Sequence, residues 1–301
     1  MKDEFFAVVN PVAGHRKCGR LARPALQRLQ AAGLKLEVVE TRFAGHGIEM
    51  VRKAYQEGFR RFLAVGGDGT AYEIVNGLFP GVEQDAPPTL AMLPLGTGNS
   101  FLRDFVTEDA VEFATDALLA GRSQPCDVLR MTHHEGVIHF INLLSVGFAA
   151  DAAAVTNRKF KRLGHLGYLF GVMTCLIRLD RRAFPMRVDD ESEVDRRRCL
   201  FLTFNNSKFT GRTMMIAPKA DTADGLIEYV RWGPIGRLGL LRNLHGLYDG
   251  SHLAHPLATR RAARRVEFFL DGPVDVMVDG EVLTLDCKVM DVLPAALSVM
   301  V

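Results

Sequence analysis

Several features are missing from this 301-residue chain, and each absence removes a class of explanation. Cysteines at paired spacing are missing. The five present, Cys18, Cys126, Cys175, Cys199 and Cys287, are odd in number and none stands at CxxC spacing. That argues against a disulfide framework and against a zinc ribbon, and leaves reduced thiols as the simplest reading. A strong charge imbalance is missing too: 37 Lys and Arg face 35 Asp and Glu, so nucleic acid is not an expected partner. Long apolar runs are missing. The longest, "LGHLGYLFGVMTCLI" from Leu163 to Ile177, is short of a bilayer span and carries a histidine and three glycines. The opening "MKDEFFAVVNP" has no apolar stretch of the secretory kind. The expected location is therefore cytoplasmic. Internal repeats and low-complexity tracts are absent as well.

What is there begins with a regular rhythm. "FFAVVNP", "LKLEVVET", "RFLAVGG" and "TLAMLPLG" read as buried strands, with "RLARPALQRLQAAG", "GIEMVRKAYQEG", "AYEIVNGLF" and "EDAVEFATDALLAG" as the helices between and after them. Strand, helix, strand at this regularity predicts an α/β doubly wound parallel sheet over residues 1–124. Beyond the turn residues near Gly121 to Pro125 the rhythm changes. "CDVLRMTHHEGVIHFINLLSVGF" reads as two strands joined by a turn. "RCLFLTFNNS", "LIEYVRWG", "RRVEFFLDG", "VDVMVDGEVL" and "VMDVLPAALSVMV" are further strands. Helical pattern is confined to about 150–180 and 234–249. Residues 125–301 are thus expected to form an antiparallel β domain with two helical insertions, its final strand free to pack back on the first domain.

Ligands of parallel sheets bind beyond the carboxyl ends of the strands. Four loops lie there: NPVAG with Asn10, TRFAGHG with Thr41 and His46, GGDGT from Gly66 to Thr70, and PLGTGN with Thr97 and Asn99. Common nucleotide motifs do not match. "GHRKCGRL" has the glycine spacing of a P-loop but Arg20 and Leu21 where Lys and Ser/Thr are needed, and "GTGNSF" lacks the third glycine of the dinucleotide fingerprint. GGDGT remains. Its glycines permit close backbone approach to an oxygen-rich ligand, and the following helix favours an anion at its N-terminus. Asp68 would repel a phosphate there unless a cation lay between them, so the loop suits a Mg²⁺–polyphosphate complex with Asp68 on the metal side. Taken alone, the same residues also suit a plain strand-to-helix turn with Asp or Thr as a cap.

With all motifs in view, the chain resembles the diacylglycerol kinase catalytic-domain family, which includes soluble bacterial diacylglycerol kinases and sphingosine kinases. NPVAG, T…GH, GGDGT, PLGTGN, PKADTADGL and VDGE occur in the family's order from about Phe5 to Leu283. The resemblance implies an N-terminal nucleotide domain, a C-terminal β-sandwich and an active site between them. It assigns Asn10, Thr41, Gly66, Gly67, Asp68, Gly69, Thr70 and Thr97 to ATP, with Asp68 serving Mg–ATP. It assigns Asp221, Asp224 and the carbonyl of Leu226 to a second, structural Mg²⁺. It assigns the catalytic base to the VDGE segment, either Glu281 with Asp279 supporting or Asp279 itself. The implied activity is transfer of the γ-phosphate of ATP to a lipid hydroxyl, with diacylglycerol first and a sphingoid base or ceramide second. A nucleotide- or lipid-binding protein without turnover is the alternative from another class. The implied role is in phospholipid metabolism at the inner face of the membrane, with a homodimer compatible.

This chain departs from the family pattern at Tyr72, where Asn is usual, at Ser100, where an acid is usual, and at "TGRTMMIAP", where a glycine-rich run is usual. Basic residues cluster at Arg158–Arg162, Arg178–Arg182, Arg196–Arg198 and Arg260–Arg265. With the apolar residues between its basic ends, the segment Arg158–Arg182 suits either a helix against an anionic membrane or one packed on the β domain.

Overall fold

The computed structural model describes residues 2, 4–79, 81–82, 86–106, 110–155, 173–211 and 213–301. Of the segment Arg158–Arg182, expected either to meet a membrane or to pack on the β domain, residues 158–172 lie outside the described residues.

In the first part of the chain β1 (Phe5–Val9), β2 (Leu36–Glu40), β3 (Arg61–Gly66) and β4 (Thr89–Pro94) pair in the order β2-β1-β3-β4, all parallel. Strands covered on both faces should be apolar throughout, and β1, with five of five residues buried, is so. β2 is an edge strand and correspondingly exposed, carrying the charged Glu37 and Glu40. Helices α1 (Lys17–Ala31), α2 (His46–Gln56), α3 (Asp68–Leu78) and α4 (Ala110–Ala120) cover the sheet. α1 buries Cys18, Ala22, Leu26 and Leu29, one stripe at helical spacing. α3 differs. Every residue from Thr70 to Leu78 except Glu73 is buried, because the helix packs on α2 on one side and on the second half of the chain on another.

The second half starts with β5 (Ser123–His133), β6 (Gly136–Phe140) and β7 (Leu143–Gly147), followed by α5 (Phe148–Val155). Where the sequence predicts two strands there are three. The break at Ile141–Asn142 takes the chain from one sheet to another, and its amides bond a side chain more than 130 residues away, described below. After α5 come the short β8 (Arg182–Ala183), β9 (Met186–Val188) and β10 (Arg198–Cys199). β11 (Phe201–Asn205), β12 (Phe209–Thr210), β13 (Met214–Met215) and β14 (Ile227–Trp232) follow. Two short helices, Arg237–Asn243 and Gly246–Asp249, match the expected insertion. β15 (Ala258–Ala263), β16 (Arg265–Phe268), β17 (Val274–Val278), β18 (Glu281–Leu285) and β19 (Cys287–Met300) complete the order.

β15-β14-β11-β7-β17-β18 form one antiparallel sheet. β19 joins the other sheet. It runs parallel to β4 through Ser298 and Val299, antiparallel to β5 from Cys287 to Met300, and antiparallel to β16. The result is a nine-stranded sheet whose far half, with the antiparallel sheet, makes a sandwich. Its core shows period-two alternation: Leu144 and Val146, Leu202 and Phe204, Ile227 and Tyr229, Val276 and Val278. One member of that core, Tyr72, comes from α3. This is the expected class, a parallel α/β domain followed by an antiparallel β-sandwich.

Candidate active site

The four loops predicted to share one sheet edge do so, and their glycines are explained by contact. The amide of Gly96 donates to the carbonyl of Gly66 at 2.7 Å. A Cβ on Gly96 would lie 2.4 Å from the Cα of Gly67, so GGDGT and PLGTGN meet backbone to backbone with no room for side chains. NPVAG joins them: the amide of Asn10 donates to Val65 O at 3.0 Å, and a Cβ on Gly14 would be 2.4 Å from Leu95 O. Thr41 is tied to the end of β1 by its amide and hydroxyl, which donate to Val9 O at 2.9 and 3.4 Å.

Glu73, to which the sequence assigned no role, joins the TRFAGHG loop to α3. Both oxygens of Glu73 accept amides at the start of α2, from Gly45 and Gly47, each at 2.8 Å. This is a helix N-terminus capped from another helix, with a carboxylate at the favoured end of the dipole. The available signal was its position five residues after Asp68, on the turn of α3 facing α2.

Asp68 is the first residue of α3 and partly buried. Its Oδ2 accepts the amide of Ser100 at 2.9 Å and its Oδ1 that of Phe101 at 3.4 Å. Burial raises its pKa above the usual carboxylate value, opposed by these donors. Ser100, in the position where an acid is usual, is buried beside it. An acid there would add like charge beside the partly buried carboxylate of Asp68. Within PLGTGN, Thr97 is exposed, while the amide nitrogen of Asn99 is spent on Pro94 O and Gly96 O. Thr70 Oγ1 and Asn99 Oδ1 are buried without a partner among the described residues.

The VDGE turn between β17 and β18 arrives at the same place. A Cβ on Gly69 would lie 2.7 Å from Glu281 Oε1, so the exposed Glu281 reaches the first turn of α3. The two acids of this turn have different surroundings. Asp279 is 2% exposed, and its carboxylate accepts three consecutive amides, from Ile141 at 3.0 Å, Asn142 at 3.1 Å and Leu143 at 3.0 Å. Its own φ of 47° lies in the left-handed region, held by this anchorage. Burial pushes its pKa up to about 7, and the charge of Asp68 adds to the rise. Tyr72 lies in the sandwich core beneath, and burial first, then the charges of Asp279, Glu281 and Glu73, push its phenol up.

α3 is held to β6 as well. Asn76 donates to His139 O at 2.8 Å and accepts from His139 N at 2.9 Å, while Phe79 stacks on the His139 ring at 4.9 Å. The helix that carries Asp68 is thereby bonded to both halves of the molecule.

Asp221 and Asp224 lie elsewhere, in an exposed turn. Each Oδ1 accepts an amide two residues ahead, Ala223 at 3.0 Å and Leu226 at 2.9 Å. Beneath them the buried Asp127 accepts Gly225 N at 2.6 Å and Ala295 N at 2.7 Å. Partial burial, then the charges of Asp221 and Asp127, raise the pKa of Asp224. Among the described residues no three His, Cys, Asp or Glu side chains are grouped to hold a metal.

Residues 4–131 match the model of the diacylglycerol kinase catalytic domain, and residues 142–301 match that of the YegS C-terminal NAD kinase beta sandwich-like domain. A diacylglycerol kinase of Staphylococcus carnosus (strain TM300) is 25% identical over 284 residues, covering 93% of this chain and 89% of that protein. One from Staphylococcus aureus (strain MRSA252) is 26% identical, covering 93% of this chain and 87% of that protein. The crystal structure of a diacylglycerol kinase from Bacillus anthracis str. Sterne superimposes with a TM-score of 0.67 at 19% identity, over 99% of this chain and 96% of that one. A further structure from the same organism gives a TM-score of 0.76 at 21% identity, over 99% of this chain and 95% of that one.

Proposed function

The chain belongs to the diacylglycerol kinase catalytic-domain family and is a lipid kinase; from that premise we propose that it transfers the γ-phosphate of ATP to the free hydroxyl of diacylglycerol, giving phosphatidic acid at the inner face of the membrane. The observation that carries the reading is the convergence of Asp68 and Glu281 on the first turn of α3, among glycine loops whose backbones touch.

Phosphoryl transfer asks for alignment and charge neutralisation more than for covalent chemistry. The α3 amides and the glycine loops suit phosphate oxygens, and Asn10, Thr41 and Thr97 lie on the loops around them. Thr70 Oγ1 and Asn99 Oδ1 are buried polar atoms without a partner among the described residues, as a ligand-binding site would leave them. A bare polyphosphate would meet the charges of Asp68 and Glu281. Hard carboxylate oxygens at that point fit Mg²⁺, with Asp68 as its protein ligand. When bound, the ion would neutralise phosphate charge. Asp221, Asp224 and the Leu226 carbonyl would hold a second, structural ion.

Glu281 takes the proton from the attacking hydroxyl. It is exposed, whereas the Asp279 carboxylate is committed to three amides. Asp279 fixes the turn that presents Glu281. The test is transfer of labelled γ-phosphate from ATP into an extracted lipid mixture, with the product identified by mass spectrometry. Phosphatidic acid should form with the wild type and fail with Glu281→Gln and Asp68→Ala. Transfer that survives both substitutions would falsify the site, and ATP binding without transfer to any lipid would favour a binding protein.

A further inference from the structure

The helical insertion between β14 and β15 is apolar on more of its surface than the fold uses. Its inner side chains, Leu240 and Leu247, are buried with Trp232 and Ile216 on the outer face of the antiparallel sheet. Leu238, Leu241, Leu244 and Tyr248, spaced by three, three and four residues, lie on an adjoining flank. Residues 173–178 are helical and repeat the pattern, with Cys175 buried while Met173 and Ile177, one turn apart, are not. These six large apolar side chains keep between 43% and 66% of their surface exposed. The two pieces are joined: the guanidinium of Arg237 donates to Leu176 O at 3.1 Å and also to Ile177 O. Leu176, Leu179, Leu240 and Leu247 share one cluster beneath them. Scattered exposed leucines need no explanation, but a contiguous set on two joined helical pieces of the chain marks an interaction surface.

The charge around this surface narrows the partner. Residues 173–182 and 237–249 carry five arginines, Arg178, Arg181, Arg182, Arg237 and Arg242, against two acids, Asp180 and Asp249. Arg182 is paired with Asp151. In a two-fold contact with a second copy, this positive rim would face itself. An anionic bilayer reverses that penalty, because its phosphates meet the arginines while the leucine flank enters the acyl boundary. The face also borders the catalytic hairpin. Cys175 and Arg178 line a cavity of about 180 Å³ whose lining also includes Asp275, on the strand β17 that leads to Asp279.

We propose that Leu238, Leu241, Leu244 and Tyr248, with Met173 and Ile177, form a membrane-docking face that rests on anionic lipid. Its purpose depends on the lipid-acceptor reading above; its existence does not. The test is co-flotation of the full chain with vesicles of phosphatidylcholine alone and of phosphatidylcholine mixed with phosphatidylglycerol. The wild type should float with the anionic vesicles and weakly or not at all with the neutral ones. A Leu238→Ser, Leu241→Ser, Tyr248→Ser variant changes only exposed side chains and should lose about tenfold or more of its partition. Arg181→Glu with Arg242→Glu should lose binding on anionic vesicles. Kinase activity on short-chain diacylglycerol in detergent micelles should stay within about twofold for both variants, since neither touches the site.

Two results would overturn the proposal: wild type that ignores anionic vesicles, or a serine variant that floats unchanged. A serine variant that turns a dimer into a monomer on sedimentation while floating unchanged would reassign the face to self-association. Flotation lost in the variants, from a protein that phosphorylates no lipid, would uphold the docking face and refute the acceptor.

Discussion

Two sets of aspartates in this protein sit in turns and behave differently. Asp221 and Asp224 bond amides two residues ahead, in an exposed loop. Asp68 bonds amides 32 and 33 residues away, and Asp279 bonds amides 136 to 138 residues away. The first kind is a local turn device that a few residues suffice to build. The second kind holds distant segments in one geometry, and the carboxylate that results is buried and expensive to ionise. A charged group with long-range partners thus marks where the fold is committed, and a neighbour such as Glu281 can then be presented with little freedom.

That contrast can be broken by substitution, and the largest effect should come from Glu281. Glu281→Gln should reduce kcat on the order of 10²–10⁴-fold, as expected for loss of a general base. Its urea unfolding midpoint should hold near the wild-type value, because its side chain is exposed. Asp279→Ala should do the opposite in kind. Three buried amides lose their acceptor, so stability should fall by about 3–5 kcal/mol in urea unfolding. If Asp279→Ala left stability intact and abolished only activity, the division of labour in this turn would be reversed.

pH sharpens the same point. The folded pKa of Asp279 is raised to about 7, above the 3.8 usual for an aspartate. Between those values the folded state holds more protons than the unfolded one. Its contribution is therefore fully present below about pH 4 and is lost as pH rises through 7. The difference in unfolding free energy between wild type and Asp279→Asn should drift in that direction over this window, with the wild type losing ground as pH rises. A flat difference would place the proton elsewhere.

Smaller effects should follow at the loops. Glu73→Ala frees the amides of Gly45 and Gly47 and should cost about 1 kcal/mol, the usual value of a lost helix cap. Asp221→Ala with Asp224→Ala should cost no more than about 0.5 kcal/mol in EDTA, as for surface turns. If the loop holds a structural cation, Mg²⁺ should raise the melting temperature of the wild type and not of the double variant. A shift of equal size in both would remove the ion from this loop.

The strand–loop–helix order and the gathering of NPVAG, GGDGT and PLGTGN on one edge were legible in the sequence, since both follow from local periodicity and right-handed parallel topology. The split of β6 from β7 was not. Nothing local breaks "IHFINLLSV"; the break is made by Asp279, which lies far along the chain. Tyr72 could be noticed as a departure, yet its place in the sandwich core depends on α3 lying between both halves. Glu73 and Asp127 likewise acquire meaning only from amides on other segments. Local pattern revealed which loops could meet, while the partners of the buried acids required the tertiary fold.

The pairing of β4 with β19 has a further consequence, for the way the polypeptide comes off the ribosome. Thr89 is paired to Ser298, about two hundred positions later. Until that partner is made, β4 leaves one side of the parallel sheet unpaired, an open template for strands of other chains. At a synthesis rate of about 5–20 residues per second, that exposure lasts on the order of ten to forty seconds. The nascent first half would therefore be a client for chaperones, and slow codons between β5 and β19 would cost yield before they changed any property of the finished enzyme.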